Sequence, residues 1–118
     1  MFNNPPTMSP QEISGALSRG EIVLIDVREP MEFAAERIHG ALLYPLSTFD
    51  PADLPHDEKR PIVFQCGSGK RSATAFNAAK AAGVPIKAHM AGGIGAWKAA
   101  GLPTVTIDPA SGAVRDPS

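Results

Sequence analysis

Short apolar runs, broken by glycine, proline and polar residues, recur along the chain and alternate between two kinds of element. Ile22-Val23-Leu24-Ile25 is a continuous β-branched and apolar run too short for a helix, the signature of a strand buried on both faces. Ile62-Val63-Phe64-Gln65 has the same character. Ile86-Lys87-Ala88-His89-Met90 and Ala41-Leu42-Leu43-Tyr44, the latter stopped by Pro45, read as two further strands. Ser9-Pro10-Gln11-Glu12 is a capping box that opens a short helix ending near Gly20. Helices are also predicted over residues 30–36, over the alanine-rich residues 73–82 closed by Gly83, and over residues 95–100. Residues 47–60 are polar and proline-bearing and predict one helical turn plus loop. This alternation predicts an α/β fold: a central parallel sheet of about five strands, helices on both faces and right-handed crossovers.

With 118 residues there is room for one compact domain. It is placed at residues 8–107, and residues 108–118, rich in proline and small or polar side chains, read as a flexible C-terminal tail. Hydrophobic residues at 43% and charged residues at 19% exclude the disordered and fibrous classes. Cys66 is the only cysteine, so no internal disulfide can form and the disulfide-framework class is excluded. Eleven basic against twelve acidic residues leave a net charge of −1, which provides no electrostatic basis for binding nucleic acid or an anionic membrane. No apolar run approaches the ~20 residues of a membrane helix. The N-terminal segment lacks the basic-then-apolar order of a secretory signal, so the expected compartment is cytoplasmic.

Cys66-Gly67-Ser68-Gly69-Lys70-Arg71-Ser72 joins a strand to a helix at the carboxyl edge of the sheet, where open α/β proteins bind ligands. The helix that follows offers unpaired N–H groups and the positive end of its dipole. Gly67 and Gly69 allow the backbone to curl so that successive amides point at the sulfur, and Lys70 and Arg71 add positive charge. Such surroundings favour the thiolate, which is the nucleophilic form. The planar fork of Arg71 suits a tetrahedral oxyanion such as thiosulfate or phosphate. Ser72 can either hydrogen-bond the sulfur or cap the helix. A cysteine that is merely packed needs neither two glycines nor two cations around it.

Four motifs in order, from about Met8 to Val105, resemble the rhodanese family of single-domain sulfurtransferases. They are Asp26-Val27-Arg28-Glu29-Pro30 with Glu32-Phe33; Ile38-His39-Gly40-Ala41; the Cys66–Ser72 loop; and Gly92-Gly93 with Trp97 and Gly101-Leu102-Pro103. The resemblance implies a double displacement. The Cys66 thiolate takes the outer sulfur of a small anionic donor such as thiosulfate, becomes a persulfide, and is discharged by cyanide, a thiol or a protein thiol. The amides of Gly67, Ser68 and Gly69 would steady the terminal sulfur, and Arg71 with Lys70 would hold the donor's anionic end. No cofactor is called for.

Two other classes remain open. A cysteine-dependent phosphatase or arsenate reductase also cradles an oxyanion over a thiolate at a helix N-terminus. Five residues separate cysteine from arginine in that signature, whereas four separate Cys66 from Arg71, a tighter loop that fits a single sulfur better than a phosphoryl group. A non-catalytic binding or regulatory module on the same fold is the second alternative, since fold does not determine function. Gly69-Lys70 and Gly92-Gly93-Ile94-Gly95 lack the flanking residues of nucleotide-binding loops. His39, His56 and His89 have no partner at metal-ligand spacing, so no metal is expected. Asp26 and Arg28 share the strand edge of Cys66; they read first as an ion pair locking the loops in support of the site, and second as a device that steers anions. His39 is expected to orient its own turn, and Trp97 to belong to the core.

Overall fold

A computed structural model describes residues 4–55 and 59–117 of the chain; His56, one of the histidines considered for a metal, lies outside them. A two-residue strand, β1 (Thr7–Met8), leads into α1 (Pro10–Ser18). The capping box is formed: the Glu12 N–H donates to Ser9 Oγ at 3.1 Å and the Ser9 N–H donates to Glu12 Oε1 at 3.0 Å. β2 (Val23–Asp26), α2 (Pro30–Ala35), β3 (Glu36–Arg37) and β4 (Leu42–Leu43) follow. Two 3-10 turns, Leu46–Thr48 and Pro51–Asp53, stand where one turn was expected. The rest is β5 (Ile62–Gln65), α3 (Lys70–Ala81), β6 (Ala88–Met90), α4 (Gly93–Ala99), β7 (Val105–Ile107) and β8 (Val114–Arg115).

Five strands form the central sheet in the order β1-β6-β5-β2-β4, every pairing parallel. Because side chains alternate across a strand, β2 and β5 feed two cores at once. Leu24 and Val63 pack with Ile13 and Ala16 of α1 and with Ile94 and Trp97 of α4. Ile25, Phe64 and Cys66 pack on the other face with Ala75, Phe76 and Ala79 of α3. Each large apolar side chain so buried contributes roughly 1.5–3 kcal/mol. Trp97 is core as expected, and its indole N–H donates to the Pro103 carbonyl at 2.8 Å.

Several features differ from the sequence expectation, among them α4, which begins at Gly93 and not at residue 95. β1 supplies the fifth strand from a segment, preceded by Pro5-Pro6, too short to show a period. Helix α3 begins at Lys70, three residues before the predicted residue 73, because Gly69 turns the chain into the helix directly after the cysteine loop. Residues 108–118, read as a tail, carry β8, which pairs antiparallel with β7, while β7 pairs antiparallel with β3. Local bonds close that hairpin: the Gly112 N–H donates to the Asp108 carbonyl at 2.8 Å and Arg115 pairs with the Asp108 carboxylate at 2.7 Å. Asp116 then lies 2.6 Å from His39 Nδ1, so His39 contacts the C-terminal segment instead of orienting only its own turn.

Candidate active site

β5 delivers Cys66 to the carboxyl edge of the sheet, and α3 starts beneath it. Gly69 caps α3 in the left-handed conformation, φ +103°, which a side chain would strain. The first-turn amides of a helix have no partner within it. Here one of them finds the sulfur: the Ser72 N–H donates to Cys66 Sγ at 3.3 Å, and the Gly69 N–H does so at 3.1 Å. Ser72 Oγ lies 3.5 Å from the same sulfur. Of the two roles expected for Ser72, the structure has the contact with sulfur; the cap is Gly69. Burial pushes the Cys66 thiol up, but hydrogen bonds from the Ser72 side chain and from the amides of Ser72, Gly69 and Ser68 outweigh it, and the thiol titrates below its ordinary value.

The loop is clamped from the α4 side. Ile94 N–H donates to the Cys66 carbonyl at 2.8 Å and Gly95 N–H to the Gly67 carbonyl at 3.2 Å. Gly93 makes this approach possible, since a Cβ there would stand 2.2 Å from the Cys66 carbonyl oxygen. Gly67 was expected to help the backbone curl. It does not take a positive φ; the absence of its side chain leaves room for Arg71, whose Nη2 lies 3.1 Å from where a Cβ would be.

Lys70 and Ser68 are exposed at the rim. Arg71 is half-buried and already engaged, with Nη1 and Nη2 donating to the two carboxylate oxygens of Glu32 at 2.7 and 3.0 Å. Glu32 also accepts the Glu29 N–H at 3.1 Å. The Arg71 fork, with lesser help from that N–H, holds the Glu32 carboxyl down to about 2 against the opposing effect of burial. Asp26 and Arg28 form a buried pair: Arg28 Nη2 and Nε donate to Asp26 at 2.9 and 3.1 Å, and Nη2 also donates to the Glu36 carbonyl at 2.6 Å. That contact ties β2 to the start of the small sheet.

Two residues near the site escaped the sequence reading. Glu32 stood inside a quoted motif, but nothing in its spacing ties it to an arginine 39 positions away. His89 was weighed only as a metal ligand. It is buried on β6 with Nδ1 2.7 Å from Ser72 Oγ.

This arrangement, a thiol facing backbone amides at a helix start on the edge of a parallel sheet, defines a class of α/β proteins with a cysteine at the strand-to-helix junction. The family model of the rhodanese-like domain matches residues 9–100, and the chain belongs to that family. An uncharacterized protein of Synechocystis is 41% identical over 99 residues; the match takes in 84% of this chain and 55% of that protein, so the chain spans about half its length. The human thiosulfate:glutathione sulfurtransferase is 32% identical over 106 residues, covering 78% of this chain and 92% of that one. Among solved structures, a rhodanese-related protein of Thermoplasma volcanium superposes with a TM-score of 0.73 at 25% identity, covering 85% of this chain and 97% of that one. The chain is therefore a rhodanese-like domain with sulfurtransferase relatives. Among the described residues no helix is long and apolar enough to cross a membrane.

Proposed function

We propose that the chain is a sulfurtransferase that moves a sulfane sulfur through a persulfide on Cys66. The observation that carries this is the convergence of the Gly69 and Ser72 amides on one sulfur, which favours the thiolate before any substrate arrives. The thiolate attacks the outer sulfur of a small anionic donor such as thiosulfate. The donor's S–S bond breaks and its electron pair leaves with sulfite, so that Cys66 becomes a persulfide. A thiolate acceptor or cyanide then attacks the outer sulfur and returns Cys66 as thiolate. The loop from Gly67 to Gly69 steadies the terminal sulfur. Lys70 at the rim attracts the donor, and Arg71 receives its anionic end in exchange for Glu32. Asp26 and Arg28 support the loops. The acceptor is cyanide, a small thiol or a protein thiol, and the reaction belongs in the cytoplasm, where a lone cysteine stays reduced.

The test is intact-mass spectrometry of the reduced protein after brief exposure to thiosulfate, then to an acceptor. The expected result is a gain of one sulfur atom, lost on adding cyanide or a thiol and absent in Cys66→Ala. No gain with thiosulfate or with a persulfide donor refutes the proposal.

A further inference from the structure

Ser72 has one hydroxyl hydrogen and three neighbours within reach: His89 Nδ1 at 2.7 Å, the Gly69 carbonyl, which accepts it at 3.2 Å, and Cys66 Sγ at 3.5 Å, which donates to Ser72 Oγ as a thiol and can accept from it as a thiolate. Which neighbour receives it depends on the imidazole. A bare Nδ1 takes the hydrogen, since it is nearest, and the serine oxygen then turns lone pairs toward the sulfur. An Nδ1 that carries its own hydrogen donates to Ser72 Oγ and frees the hydroxyl hydrogen, which a charged thiolate then draws from the neutral Gly69 carbonyl.

We propose that His89 is a positioning residue: with its hydrogen on Nδ1, it directs the Ser72 hydroxyl onto Cys66 and so sustains the thiolate. The inference deepens the sulfurtransferase proposal and rests on it for its purpose. Three elements meet the residue. His89 stands in register between Thr7 of β1 and Phe64 of β5, and α3 packs against this face through Ser72. Among the described residues the ring has no carboxylate or cation as a hydrogen-bond partner. Cys66 is the titratable group at the end of the chain, Arg71 is turned to Glu32, and Lys70 and Lys80 on α3 are exposed. Burial lowers the pKa of His89, which keeps the ring neutral with a single hydrogen to place. The tautomer is therefore the variable, and the 2.7 Å contact makes it consequential.

Two-bond proton–nitrogen correlation spectra of protein labelled with 15N-histidine report the tautomer directly, with His89→Asn assigning the signal. The expected result at neutral pH is a protonated Nδ1 and a bare Nε2; the reverse overturns the proposal. The pH profile of Cys66 alkylation by iodoacetamide gives the consequence. Ser72→Ala and His89→Leu are expected to move its midpoint up by about one unit, a tenfold loss of thiolate at a given pH below it. His89→Asn, whose amide can donate to the same hydroxyl, is expected to recover most of that shift. A wild-type midpoint in folded His89→Leu, or no recovery in His89→Asn, overturns the proposal; should His89→Leu fail to fold, the wild-type spectrum decides. Alkylation follows the thiolate and not turnover, so a missing persulfide in the mass measurement counts against sulfur transfer alone.

Discussion

Replacing Gly93 by alanine acts on the cysteine loop without touching any side chain in it. The new Cβ would stand 2.2 Å from the Cys66 carbonyl oxygen and 2.6 and 2.7 Å from the Gly67 carbonyl carbon and oxygen, all backbone atoms. Moving from 2.2 Å to the 3.4 Å at which ordinary contact begins requires loop and helix α4 to part by about 1.2 Å. That displacement breaks the 2.8 Å bond from Ile94 N–H to the Cys66 carbonyl and carries the sulfur away from the Gly69 and Ser72 amides. The positive φ of +60° at Gly93 adds roughly 1–2 kcal/mol for an L side chain, and overpacking adds roughly 1–3. A total of about 2–5 kcal/mol corresponds, for a chain of this size, to a fall in Tm of about 6–20 °C. A misplacement of about 1 Å is also enough to slow transfer on the order of a hundredfold. Circular dichroism melts measure the loss of stability, the alkylation profile of Cys66 the displacement of the sulfur from its amides, and a transfer assay the loss of rate. A variant that melts within about 2 °C of wild type with an unchanged alkylation midpoint refutes the steric account.

Asp26→Ala leaves the buried Arg28 guanidinium without its partner and is expected to cost about 3–5 kcal/mol; equal melting temperatures with a large loss of transfer would overturn the structural role of the pair. Glu32→Gln removes the charge that competes for the Arg71 fork, and the KM for thiosulfate is expected to fall a few-fold, in keeping with about 1 kcal/mol between charges near 4 Å apart in water. A rise in KM would make Glu32 a support for Arg71 and not a competitor. Arg71→Ala is expected to raise the KM for thiosulfate much more than that for an uncharged persulfide donor, and equal effects would assign Arg71 to loop structure. Glu32 also sets an acid dependence. Its folded value, about 2, lies below the ordinary 4.5, so the stability it contributes is complete above 4.5 and fades as pH falls toward 2. Urea melts should show wild type losing its margin over Glu32→Gln across that window, and parallel curves would refute the linkage.

The alternation of apolar runs with capped or alanine-rich segments was enough to define a parallel α/β domain, because period and composition are local properties. Ile62–Gln65 matched to the residue, whereas the run Ile22–Ile25 is observed one residue further on, as Val23–Asp26. The make-up of the Cys66 loop was equally legible: consecutive residues carry both the thiol and the amides that face it. What tertiary structure alone decided are the meetings between distant segments. Glu32 reaches Arg71 across 39 positions and His89 reaches Ser72 across 17. The second sheet is assembled from β3, β7 and β8, strands of two or three residues that are too short to show a period. Gly93 could be seen as part of a glycine pair, but only the packed fold shows that a methyl group there would strike the Cys66 carbonyl. A local pattern encodes what each segment prefers; which charge occupies the arginine fork, and which ring orients the serine, follow from how the crossovers bring the segments together.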